Sequence, residues 1–81
     1  MPKTAQSQVL ALLAKEWEMT GPPGILDISD IVASLALAPS EVLAAVKELF
    51  VQGLVDMNKL KTAAFLTPEG YAAVEQERAR K

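Results

Sequence analysis

Eighty-one residues and 8.7 kDa leave room for one small domain, and a chain this short buries only ~60–65% of its unfolded surface. Its 51% hydrophobic and 22% charged content is that of a folded globular chain rather than a disordered one. With no Cys or His and a net charge of −2, it excludes disulfides, thiolate or imidazole zinc sites and histidine bases, and it has no global attraction to nucleic acid or acidic membrane.

The punctuation residues are Gly21-Pro22-Pro23-Gly24, Pro39, Gly53, and Pro68 with Gly70. The first helix is expected from Ala5 to Met19, with Thr4 as N-cap and Val9, Leu10, Leu13 and Trp17 on one apolar face. Trp17 is expected to be largely buried against the second and third helices. Proline cannot continue the hydrogen-bond ladder, so Pro22 and Pro23 end this helix. Gly24 to Asp27 reads as a short extended stretch. Asp27 and Asp30 then stand in the spacing of a capping box before a second helix, Ile28 to Leu35, with Ile28, Ile31, Val32 and Leu35 as its buried stripe.

The turn Ala36-Leu37-Ala38 leads to Pro39, which suits the first helical position, and to Glu41, which complements the helix dipole. The third helix runs to about Gln52, with Val42, Ala45, Val46 and Leu49 facing inward, and Gly53 ends it in the left-handed conformation. Leu54–Met57 and Ala63–Leu66 are strand candidates joined by Asn58-Lys59-Leu60-Lys61-Thr62 as a hairpin. Thr67-Pro68-Glu69 repeats the helix-start signal. The fourth helix should turn Tyr71, Ala72 and Val74 inward, and the polar stretch from Glu75 to Lys81 should be solvated or frayed. The fold class expected is mainly α with a small β-hairpin, in one domain over residues 1–81.

This order of elements is what a helix-turn-helix with a wing requires. Ile28-Ser29-Asp30-Ile31-Val32-Ala33-Ser34-Leu35-Ala36-Leu37 resembles the second helix and turn of winged helix-turn-helix regulators. Pro39-Ser40-Glu41-Val42, Leu49 and Gly53-Leu54-Val55 resemble their third helix and first wing strand. Leu66-Thr67-Pro68-Glu69-Gly70 is similar to the end of the wing in MarR and PadR-type transcriptional regulators, and the resemblance covers about residues 5–75. It implies a three-helix core, a wing and a C-terminal helix. It also implies double-stranded DNA as partner, with the third helix in the major groove and the wing on phosphate or minor groove. The base-facing positions would be Ser40, Leu43, Ala44 and Lys47, and the wing contacts Lys59 and Lys61. Leu43 and Ala44 stand where such helices usually carry polar residues, and they can touch only a thymine methyl. Ala36 stands where glycine is usual, and Ala38 where a capping Ser or Thr is usual.

Charge is divided along the chain. Residues 1–58 hold three Lys and seven acids, −4, whereas residues 59–81 hold five basic residues and three acids, +2. The basic end suits a phosphate backbone, although Arg78, Arg80 and Lys81 also complement a helix C-terminus. Leu12, Leu43, Phe50, Val51, Leu60 and Phe65 lie off the inward stripes. Grouped, they would mark a protein interface, either between two copies or with another partner. A protein-association module that does not bind DNA is the alternative reading.

The ten carboxylates are dispersed, no glycine-rich phosphate loop occurs, and the hydroxyls have no histidine to activate them. No enzyme activity and no cofactor are expected. The longest apolar run, Val9 to Ala14, is six residues, far short of the ~20 that span a bilayer. It also ends at Lys15-Glu16, which makes it a poor signal-peptide core. A cytoplasmic location without membrane attachment is therefore expected.

Overall fold

The computed structural model describes residues 4–79. Its elements are α1 (Ala5–Thr20), β1 (Leu26–Asp27), α2 (Ile28–Leu35), α3 (Pro39–Val51), β2 (Val55–Met57), β3 (Ala63–Leu66) and α4 (Pro68–Ala79). The described residues are thus mainly helical, and the strands form one antiparallel sheet in the order β1-β3-β2. The hairpin read from the sequence is present, with Val55 opposite Leu66 and Met57 opposite Ala64. A third strand joins it: Leu26 and Asp27 pair with Ala64 and Ala63, which makes β3 central.

Thr4 caps α1 as its sequence position implies, its Oγ1 accepting the Ser7 amide at 3.1 Å. Gly21 ends the helix at φ 91°, and its amide donates to the Trp17 carbonyl. The following loop folds back on α1. Gly24 is buried there, at φ 63°, and a Cβ on it would stand 2.8 Å from the Leu13 carbonyl oxygen. The Pro23 carbonyl accepts the Leu66 amide, so this loop also anchors the end of β3.

Asp27 occupies the N-cap position of α2, yet its side chain makes no cap bond, contrary to the capping-box reading. Its backbone is engaged in β1, and the Ile28 amide instead donates to the Thr62 carbonyl of the hairpin. Of the expected α2 stripe only Ile31 is fully buried; Ile28, Val32 and Leu35 pack half-buried on the core. The chain changes direction by 117° between α2 and α3. The turn is made by Ala36 at φ 54°. An L-residue with a Cβ pays roughly 1–2 kcal/mol in that conformation. Ala36→Gly is therefore expected to raise stability by a few tenths to about 1 kcal/mol in urea unfolding, the gain being reduced by glycine's freer unfolded chain.

At the start of α3 the Glu41 carboxylate accepts the Ala38 amide at 3.2 Å, the one half of a capping box that remains possible when the cap residue is alanine. Val42, Ala45, Val46 and Leu49 face inward as their spacing implies, and Gly53 at φ 78° ends the helix. They pack with Val9, Leu13 and Ala14 of α1, and Val55, Ala64 and Leu66 of the sheet close the core. No single helix is long and apolar enough to cross a membrane.

α4 differs from its sequence reading in two ways. Gly70 and Val74 are its buried residues, Tyr71 and Ala73 are half-buried, and Ala72 is exposed. A small apolar residue does not by itself mark the inward face. Glu75 to Ala79 are exposed, as expected of a solvated stretch, but they are helical rather than frayed, while Arg80 and Lys81 lie outside the described residues. Its last turn also meets the end of α1. The Arg78 guanidinium donates to Glu18 at 2.5 Å and to Glu75 at 3.2 Å, and the Tyr71 hydroxyl donates to Glu18 at 3.0 Å.

Trp17 belongs to this contact. It is half-buried and stacked on Tyr71, with ring centroids 4.8 Å apart and planes 8° from parallel, rather than enclosed by α2 and α3. Trp17→Ala is accordingly expected to cost about 2–3 kcal/mol by thermal unfolding, short of the ~3–5 kcal/mol of a fully buried aromatic. Hydrogen bonds from Arg78 first, and then from Tyr71, hold the Glu18 carboxyl below the usual carboxylate range. The same contact pushes the Tyr71 phenol up. A carboxyl depressed in the folded state contributes stability above its unfolded pKa, and loses it as pH falls through the folded value. The melting temperature is expected to fall on acidification through the Glu range. Glu18→Gln should flatten that part of the curve, slightly, because the cluster is exposed.

Candidate nucleic-acid interface

Because the inward residues of α3 occupy one side, its remaining positions form a continuous outward face. Ser40, Leu43, Ala44 and Lys47 follow the i, i+3, i+4, i+7 spacing along it, and all four are exposed, Leu43 to 37%. Glu41 and Glu48 flank this face on the side toward α1. Ala44 shares a shallow depression of ≈ 280 Å³ with both of them and with Thr4, Ala5 and Gln6.

The hairpin flanks the other side. Lys47 and Lys61 line one open groove of ≈ 350 Å³ between α3 and the hairpin, together with Phe50, Val51, Asp56, Met57 and Asn58. Two of the six residues singled out from the sequence, one on each element, are thus brought together. Ser40 and Leu43 lie on the same helix face outside the groove, Ala44 lies on the acidic flank, and Lys59 is exposed on the hairpin loop beyond it.

The loop has a built shape. Asn58 Oδ1 accepts the amides of Thr62 at 2.8 Å and Ala63 at 3.0 Å, and its Nδ2 donates to Thr62 Oγ1 at 2.9 Å. The Lys61 amide donates to the Asn58 carbonyl, and Lys61 itself sits at φ 57°. These bonds fix the projection of Lys59, Leu60 and Lys61. Asn58 was legible in the sequence only as a polar loop residue, although Asn is a frequent organiser of such turns through its own side chain.

Among the described residues, Lys47, Lys59 and Lys61 have no ion-pair partner, whereas Arg78 is held by Glu18 and Glu75. Three cations are thus available around α3 and the hairpin, and Arg78 is committed to the fold. Within the groove the single carboxylate, Asp56, is partly engaged by the Met57 amide at 2.8 Å.

The apolar residues expected on the surface divide. Phe50 is 50% exposed, and Val51 and Leu60 are each 80% exposed, whereas Leu12 and Phe65 are half-buried. Met19 and Ile25 are exposed as well, beyond those anticipated. Phe50 and Val51 form the apolar wall of the groove whose cations are Lys47 and Lys61. Among the described residues, no group of three or more carboxylates gathers to hold a metal ion. No family model, curated protein or solved structure matches the chain.

Proposed function

We propose that this chain is a winged helix-turn-helix module that binds double-stranded DNA and serves as a transcriptional regulator. The 117° change of direction between α2 and α3 is in the range of helix-turn-helix pairs. The hairpin of the three-stranded sheet, its loop closed by hydrogen bonds to Asn58, lies beside the outward face of α3, as a wing would stand. The observation that carries the reading is the groove in which Lys47 of α3 and Lys61 of the hairpin meet, both free of ion pairs among the described residues. A duplex backbone running along that groove would be met from both walls. In this arrangement α3 enters the major groove, where Ser40 offers a hydroxyl, Leu43 touches a thymine methyl, and Lys47 is the helix's only cation, while Ala44 stands aside on the carboxylate flank. Lys59 and Lys61 hold phosphates.

So few cations set the expected salt dependence. With about two to four phosphate contacts, the slope of log affinity against log salt is about −2 to −4. Lys59→Ala with Lys61→Ala should flatten it by about two units in a fluorescence titration of duplex. Unchanged binding in the double variant removes the wing from the mechanism.

A second reading rests on Phe50 and Val51. Two exposed apolar residues on one wall of a groove are also what a protein partner or a second copy would cover. On that reading Val51→Asp abolishes a complex seen by light scattering and leaves duplex titrations without signal in any variant. Regulators of this architecture match two half-sites as dimers, so self-association together with duplex binding supports the first reading.

A further inference from the structure

Leu60 stands at the tip of the hairpin loop and is 80% exposed. An exposed leucine alone calls for no explanation. This one differs in its setting. It lies between two exposed lysines, neither with an ion-pair partner among the described residues. The loop that carries it is closed by the Asn58 carboxamide, which takes the amides of Thr62 and Ala63 and bonds the Thr62 hydroxyl. Lys61 is held at φ 57°, so the three residues project in a defined shape from the end of β2 and β3.

We infer that Leu60 is an apolar wedge that enters the minor groove of the duplex and unstacks a base step, while Lys59 and Lys61 hold phosphates on either side. This rests on the duplex-binding reading above. Proteins that kink DNA from the minor groove commonly insert Leu, Ile, Met, Phe or Pro between bases, at a cost of a few kcal/mol per step for the lost stacking. A wedge must therefore be backed by a rigid support, because a loop that also had to be ordered would add its own entropy cost. The Asn58 network supplies that support. Flanking cations neutralise the phosphate walls of a groove only about 6 Å wide. Pyrimidine–purine steps, the easiest to unstack, are the expected sites of insertion.

The test uses the full chain and a 30-base-pair mixed-sequence duplex at low salt. The duplex carries 2-aminopurine at TA and CA steps and a donor–acceptor pair at its ends. Wild-type protein is expected to raise 2-aminopurine emission and shorten the end-to-end distance. Leu60→Ala, at an exposed site, should fold normally, bind about tenfold more weakly and give neither signal. Leu60→Lys separates insertion from charge: it adds a cation, so it should retain affinity through phosphate contact yet leave the duplex straight. Wild-type binding without unstacking or bending overturns the wedge and leaves duplex binding standing, as does retention of both signals in Leu60→Ala. Absence of any wild-type binding overturns the duplex reading itself, and the wedge with it.

Discussion

Gly70→Ala is expected to destabilise the domain by about 3 kcal/mol or more, the upper end of what overpacking costs. Helix propensity argues the other way, since alanine is favoured over glycine inside a helix by about 1 kcal/mol. Distance decides between them. Gly70 is buried in the first turn of α4, and a Cβ there would lie 2.0 Å from the Leu54 carbonyl oxygen and 2.8 Å from Leu66 Cδ1. The first of these is backbone and cannot move aside as a flexible side chain can. The Thr67 amide also donates to that carbonyl at 3.2 Å, and Thr67 Oγ1 donates to Gly53 at 2.8 Å, so α4 cannot lift away without breaking its own start. Gly53→Ala is the control: it meets no atom within 4 Å and pays only for φ 78°. Urea unfolding of the two variants, with Gly70→Ala clearly the worse, checks the close approach.

Lys47→Glu is expected to abolish duplex binding with little change in stability. Lys47 is exposed, so its replacement disturbs no packing. It is also the only cation on α3, beside Glu41 and Glu48, so reversal takes the helix from −1 to −3 facing a phosphate-lined groove. In a protein-binding module the apolar positions matter instead. Leu43→Asp then breaks the complex, while Lys47→Glu changes little. Titration of both variants against duplex, with light scattering in parallel, separates the two. If neither substitution changes any association, α3 is not the functional surface.

Much of the fold was legible because its signals are local. Thr4, Pro39, Gly53 and Thr67 mark helix ends by chemistry that acts within one turn, and Val42, Ala45, Val46 and Leu49 mark a face by spacing alone. What escaped depends on contacts distant in sequence. β1 is a two-residue ladder, too short for alternation to register, and it exists because β3 offers a free edge. Trp17 lies on the same stripe as Val9 and Leu13, but at the end of α1 the neighbour is Tyr71 of α4, 54 residues further on. Glu18 and Arg78, 60 residues apart in sequence, meet across α1 and α4 within what reads as a polar tail. The candidate site was legible residue by residue, not as a site. Only folding brings Lys47 and Lys61 to one groove and turns Ala44 toward the carboxylate flank.

The most direct test of the duplex-binding account is an amide chemical-shift titration of the labelled chain with a mixed-sequence duplex at low salt. The account predicts perturbations at Ser40, Leu43 and Lys47 on α3 and at Lys59, Leu60 and Lys61 on the hairpin, all fading together as salt is raised. No perturbation at low salt, or perturbation confined to the α1–α4 contact around Trp17 and Arg78, would contradict it.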